Sequence, residues 1–155
     1  MKLKRATFRH IEAEIYAYND TIKAIEELRA DIILAGRQGE LGAAVGGGGY
    51  ITSKVERRAT KLADSLLLRE MERITKAIAE VYAKSKEEVR RVVWVKYGLA
   101  IDWQPPQELA QKLQNRNRFD LTARDMAEIL AVDESTFHRY RTGFVYGIAE
   151  KLGWY

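Results

Sequence analysis

The chain has 155 residues, 31% of them charged, and a net charge of +4 at pH 7. It contains no cysteine, which excludes a disulfide scaffold and cysteine-built zinc sites and suits a reducing cytoplasm. No apolar run approaches the roughly 20 residues of a membrane span, and the basic start MKLKRATFRH leads into an amphipathic helix rather than an apolar signal core. Alternating β-type patterning is absent, and nearly every long segment has a helical period. The sequence therefore predicts an all-α protein: a long antiparallel helical hairpin over 1–98, with a glycine-rich connector at 36–53, followed by a helix-turn-helix domain over 99–155.

The charge is unevenly placed. Residues 54–98 carry twelve basic and seven acidic groups, whereas residues 99–155 carry seven basic and eight acidic. A nucleic-acid-binding role for the C-terminal part thus cannot rest on its own net charge. Phosphate attraction, the main source of non-specific affinity, has to come from the middle helices, from Lys2, Lys4, Arg5 and Arg9, from a second copy, or from a partner already on DNA.

The first predicted helix covers 6–35. Phe8, Ile11, Ile15, Tyr18, Ile22, Ile25 and Ile32 recur at spacings of three and four, a coiled-coil seam broken once by Arg29. A helix of this length spans roughly 45 Å and needs a neighbour for its stripe. Tyr16 lies off the seam. Seven of the eleven glycines fall in 36–53. The run Gly46 to Gly49 is followed by Tyr50 and Ile51, not by the Lys-Ser or Lys-Thr of a phosphate loop, so it reads as a connector.

A second helix is expected over 54–83, capped by Ser53 with Glu56 as box partner. Its stripe runs from Val55 through Leu62, Leu66, Leu67, Met71, Ile74 and Ile78 to Val81. Lys54, Arg57, Arg58 and Lys61 form a basic patch, read either as a solvated face or as a contact for phosphate or an acidic partner. A third helix is expected to start at Ser85, with Glu88 as box partner, and to stop at Gly98. Its run VVWVKYG is apolar nearly all round, so Trp94 reads as core. Trp103 and the Pro105–Pro106 pair bar helix, and a short helix follows over 107–113. Asn115, Arg116, Asn117 and Arg118 read either as a stretch tracking a phosphate backbone or as a solvated loop.

The segment 122–152 is the most informative. Thr122 is placed to cap a helix reciprocally with Asp125. Met126, Ala127 and Leu130 give that helix an apolar face. Residues 131–133 form a turn, with Ala131 where glycine is common, and Asp133 is placed to cap a second helix. Phe137, Tyr140, Phe144, Ile148 and Leu152 then continue an inward stripe. This is the pattern of a helix-turn-helix, and it leaves Glu134, Ser135, His138, Arg139 and Thr142 outward, where a DNA groove could lie. In such a docking Arg139 suits guanine O6 and N7, His138 and Ser135 suit base edges or phosphate, and Arg116, Arg118, Arg124 and Arg141 suit phosphates. Enzyme chemistry finds little footing. His10 and His138 have no second metal ligand at helical spacing, no nucleophile–base set is visible, and no metal or cofactor is expected.

With these residues laid out, the chain resembles the RinA/ArpU-type phage transcriptional regulators. The matching stretches are LKRATFRHIEAEIYAY, ERRATKLADSLLLREMERITKAIAEVY, VVWVKYG and STFHRYRTGFVYGIAEKLGW. The resemblance implies a C-terminal module related to the DNA-binding region of sigma factors, and binding of promoter double-stranded DNA in the cytoplasm of a phage-carrying bacterium. Carried over by position, Ser135, Thr136, His138, Arg139 and Arg141 face DNA. It also implies a shorter connection than residues 101–120 provide. Two other readings are a small-terminase-like packaging protein, whose helices assemble a ring, and an interaction protein that docks host RNA polymerase without touching bases. Either the hairpin's length or a ring predicts a homo-oligomer.

Overall fold

The computed structural model describes residues 2–42 and 50–155, with side chains at 2–36 and 56–155. Among these residues are seven α-helices, one 3₁₀ turn and no strand, as the all-α expectation required. The chain forms two compact units, Met1–Tyr18 with Lys76–Tyr155, and Asn19–Thr75. They part at Tyr18 and Lys76, whereas the residue pattern suggests a line after Gly98. No helix among the described residues is long and apolar enough to cross a membrane.

The single helix expected over 6–35 is two: α1 (Arg5–Tyr16) and α2 (Tyr18–Gly42), interrupted at Ala17 with φ −84° and ψ −1°. Neither glycine nor proline stands at the break. The stripe is divided by it: Ile11 and Ile15 are sealed in the core of the first unit, and Ile25 is buried in the second. Helix α3 spans Tyr50–Lys84. Helix thus takes in both ends of the expected 36–53 connector, and Ser53 falls inside α3 rather than capping it. The run Gly46 to Gly49, and the connector reading placed on it, lie outside the described residues, as do the side chains of Lys54 and Val55. Within the second unit, Arg29 on α2 donates to Glu72 on α3 at 2.6 and 3.2 Å. Ile33 and Leu34 on α2, and Leu62, Leu66 and Leu67 on α3, are each more than half exposed.

The first unit is built around α4 (Glu87–Tyr97) and α7 (Glu134–Leu152). Helix α4 starts two residues later than expected. The Ser85 hydroxyl donates back to Val81 O at 2.7 Å instead of capping, and Arg90 Nη2 donates to Ala83 O at 3.0 Å, closing the end of α3. The expected Ser85–Glu88 box is therefore absent. Gly98 ends α4 in the left-handed region at φ 71°, as predicted. Val92 and Val95 of α4 pack with Leu109 and Leu113 of α5 (Gln107–Leu113), with Met126, Ala127 and Ile129 of α6 (Ala123–Leu130), and with Phe137 of α7. On its other side α4 meets α7, where Phe144, Val145 and Ile148 are buried. Helix α1 also lies on α7, and the end of α3 comes close to the same helix, where a Cβ on Gly147 would stand 3.1 Å from Val81.

Two helices of this unit end in the same hydrogen-bonded motif with different residues at its left-handed position. After α7, Gly153 takes φ 69°, and Trp154 N donates to Ala149 O at 2.9 Å. After α6, Ala131 takes φ 56°, and Val132 N donates to Ala127 O at 3.0 Å. Both are Schellman-type ends, but the methyl group makes the second strained by about 1 kcal/mol. Ala131→Gly is expected to raise stability by about 0.5 kcal/mol, the relief of strain less the extra freedom glycine gives the unfolded chain. Gly153→Ala is expected to lower it by about 1 kcal/mol. Urea unfolding of the two variants checks both signs, and loss of stability in Ala131→Gly would refute the strain.

Candidate nucleic-acid interface

The local geometry of 122–142 follows from its caps and its inward residues. Asp125 N donates to Thr122 Oγ1 at 3.2 Å and Thr122 N donates to Asp125 Oδ2 at 3.0 Å, a complete capping box at the start of α6. The backbone N–H of Thr122, then its hydroxyl, hold the Asp125 carboxyl below its ordinary range. Asp133 is the first residue before α7, but its side chain makes no capping bond. Phe137 is 1% exposed and Tyr140 packs against the same apolar cluster. With those two rings turned in, Ser135, His138 and Arg139 are exposed and Thr136 and Thr142 half-buried. Ser135, His138, Arg139 and Thr142 stand at i, i+3, i+4 and i+7 and so share one face of α7.

Acidic side chains stand beside the outward polar groups of α6 and α7. His138 Nε2 lies 3.6 Å from Glu134 Oε1, and Arg124 Nε lies 3.7 Å from Glu128 Oε1. Arg139 lies over the ring of Tyr140, its Cζ 5.4 Å from the centroid. Arg116 is exposed and lines a shallow groove with Lys112, Asp125, Glu128 and Ile129. Arg57, Arg58 and Lys61 are exposed on α3, in the second unit.

Two cations expected outward are turned inward. Arg141 donates from Nε and Nη2 to the two carboxylate oxygens of Glu12, both at 2.9 Å, with its Cζ 5.4 Å from the Phe8 centroid. The Tyr97 hydroxyl donates to the same carboxylate. Burial, then the neighbouring Glu12 charge, raise the Tyr97 hydroxyl far above the usual phenol range. Burial works against the charge on Arg141, but Tyr97 and Glu12 outweigh it and its pKa is raised. Arg118 is likewise drawn in and half-buried. Its Cζ stands 5.6 Å over Trp94, and its Nη1 would lie 1.8 Å from any Cβ at Gly98. Its Nε is buried without a hydrogen-bond partner, and burial lowers its pKa. Of the nine residues proposed from the sequence, Arg116, Arg124, Ser135, Thr136, His138, Arg139 and Thr142 belong to α6, α7 and the loop before them. Arg118 and Arg141 serve the packing beneath.

Sequence reasoning missed Glu12, Tyr97 and Phe8. Glu12 and Arg141 are 129 positions apart, so no local spacing could join them. Among the described residues no group of three or more His, Asp or Glu side chains could hold a metal ion. Compared with protein-family models, curated proteins and solved structures, the chain matches none.

The Glu12 carboxylate is largely buried and serves Arg141 and Tyr97 together, so removing either charge strands the other. Glu12→Gln and Arg141→Met are each expected to lower stability by about 2–3 kcal/mol, less than for a fully enclosed pair because Arg141 keeps some exposure. The double variant Glu12→Gln with Arg141→Met is expected to lose clearly less than the sum of the two single losses. Chemical denaturation of all three closes the cycle, and simple additivity of the single losses would show that the pair is not coupled.

Proposed function

We propose that this protein binds double-stranded DNA through α6 and α7 acting as a helix-turn-helix, and that it serves as a phage transcriptional activator. The observation that carries the reading is the division of α7. Phe137 is sealed into the core while Ser135, His138 and Arg139 are exposed along one face, with half-buried Thr142 at its end. Helix α7 would lie in the major groove with its first turns against base edges. Arg139 would take a guanine edge, His138 and Ser135 base edges or phosphate, and Arg116 and Arg124 the backbone. The resemblance of four stretches of the chain to the RinA/ArpU-type regulators supports the same reading, with host RNA polymerase as a further partner.

The second unit would serve assembly. The Arg29–Glu72 ion pair supports α2 and α3 running as an antiparallel hairpin. The five apolar side chains exposed on it support a homo-oligomer, since water-facing leucines at this density are usually covered by a partner. The same surface keeps a small-terminase-like packaging role as the second reading. Mass measurement in solution separates them: a ring of about eight or more subunits favours packaging, a smaller assembly the activator.

Arg139→Ala is expected to weaken binding to a promoter fragment by about 1–3 kcal/mol and to blur one base position, while binding to random duplex changes little. Because Glu128 and Glu134 stand beside Arg124 and His138, the salt dependence of binding per module is expected to be shallow. Footprinting and titration at several salt concentrations check both, and equal loss on promoter and random DNA would remove Arg139 from base reading.

A further inference from the structure

Beyond Thr142 the outer face of α7 continues to Tyr146, which stands at i+4 from Thr142 and i+7 from Arg139 and is half-buried. Residues 3–8 cover it. Leu3 N donates to the Tyr146 hydroxyl at 3.3 Å, and the Phe8 ring meets the Tyr146 ring edge-on at 6.4 Å. All of these residues belong to the first unit. Residues 2–11 carry Lys2, Lys4, Arg5 and Arg9 and no acid. Leu3 and Ile11 are buried, whereas all four cations are exposed. Among the described residues none of the four is held in an ion pair or a side-chain hydrogen bond. The acids of α1 are engaged elsewhere: Glu12 accepts from Arg141 and Tyr97, and Glu14 lies 3.4 Å from His10. On α7 the next acid after Tyr146 is Glu150, a single exposed charge.

We propose that Lys2, Lys4, Arg5 and Arg9 form the main phosphate-contacting surface of this protein, and that they hold the backbone of the same duplex whose groove α7 enters. This rests on the DNA-binding reading and names the charge which that reading needs, because Arg124 and His138 have glutamates beside them. Seven residues of α-helix span about 10 Å, and the major groove is about 12 Å wide. A segment docked on Tyr146 is therefore within reach of the phosphate strand that borders a groove holding Arg139. Exposed cations with no acid among them suit a polyanion, whose attraction is set by charge. A segment lying on a membrane would show apolar side chains on its outer side. Here Leu3 and Ile11 are buried and Phe8 is half-buried. Four such contacts also keep the salt dependence below that of proteins with about six to ten.

The test is fluorescence anisotropy of the full chain with a labelled promoter duplex and a labelled random duplex, each at several salt concentrations. The variant combining Lys2→Gln, Lys4→Gln, Arg5→Gln and Arg9→Gln is expected to weaken both duplexes alike, by at least about tenfold. Its salt slope is expected to fall by about 3. A charge-preserving variant, Lys2→Arg and Lys4→Arg with Arg5→Lys and Arg9→Lys, is expected to retain binding. Arg139→Ala should differ from both, weakening the promoter and sparing the random duplex. Circular dichroism confirms that the variants fold. Wild-type binding to both duplexes that the glutamine variant matches in strength and slope would overturn this proposal and leave the α7 reading standing. A charge-preserving variant as weak as the glutamine one would also overturn it. Absence of duplex binding by the wild type would remove the α7 reading and this proposal together. Binding of the wild type to phosphatidylglycerol vesicles that the glutamine variant loses, with duplex binding unchanged, would give the surface to a membrane.

Discussion

A single carboxylate decides how the C-terminal helix is presented. Glu12 on α1 receives both nitrogens of Arg141 from α7 and the hydroxyl of Tyr97 from α4. Three helices from the start, the middle and the end of the chain therefore meet at one charge. A bidentate pair fixes orientation as well as distance, so it sets the rotation of α7 about its own axis. Phe144, Val145 and Ile148 are then turned into the core, and Ser135, His138 and Arg139 are left outside. Helix α1 is consequently part of the same unit as α4 to α7, although it comes first in the chain. The rest of its face supports the arrangement. Leu3 N donates to the Tyr146 hydroxyl at 3.3 Å, and His10 stacks 4.8 Å from Trp154.

What was legible in the sequence is what local spacing determines. The Thr122–Asp125 box, the stop at Gly98, the bounds of α5 and the inward Phe137 depend on residues within a few positions of one another. Ala131 was legible too: a turn needing a left-handed residue, occupied by one that pays for the conformation with steric strain. The errors have a common cause in competition for the same atoms. Ser85 could cap a helix or bond back to the preceding turn, and the open carbonyl of Val81 claimed it. Arg118 and Arg141 read as free cations because a sequence shows no carboxylate or ring 129 positions away, nor the space above Gly98. The seam over 6–35 has the right period throughout, but period does not show that its two parts are buried in different units.

These inward cations alter the electrostatics of any nucleic-acid reading. Residues 99–155 are slightly acidic in sum, and two of their arginines are held by packing. The outward Arg124 and His138 each have a glutamate within 4 Å. A duplex on this face would meet few unmatched charges, so its affinity has to come from shape and base-edge contacts, from cations outside residues 99–155 or from several copies acting together. Multiple copies multiply a weak contact through effective concentration without any new chemistry.

The second unit supplies a reason to expect such copies. A long helix gains little stability from propensity alone and is held mainly by burying a face. Helix α3 does this over its C-terminal half, where Ile74, Ala77, Ile78 and Tyr82 are buried. Nearer its start Leu62, Leu66 and Leu67 face water, as do Ile33 and Leu34 on α2. Exposed single apolar side chains are ordinary, but here four leucines and an isoleucine face water on two helices of one compact unit. Covering them with a second chain would remove the cost and, on the proposed DNA-binding reading, would bring two copies of α7 to the same target, coupling the stability of the helices to avidity.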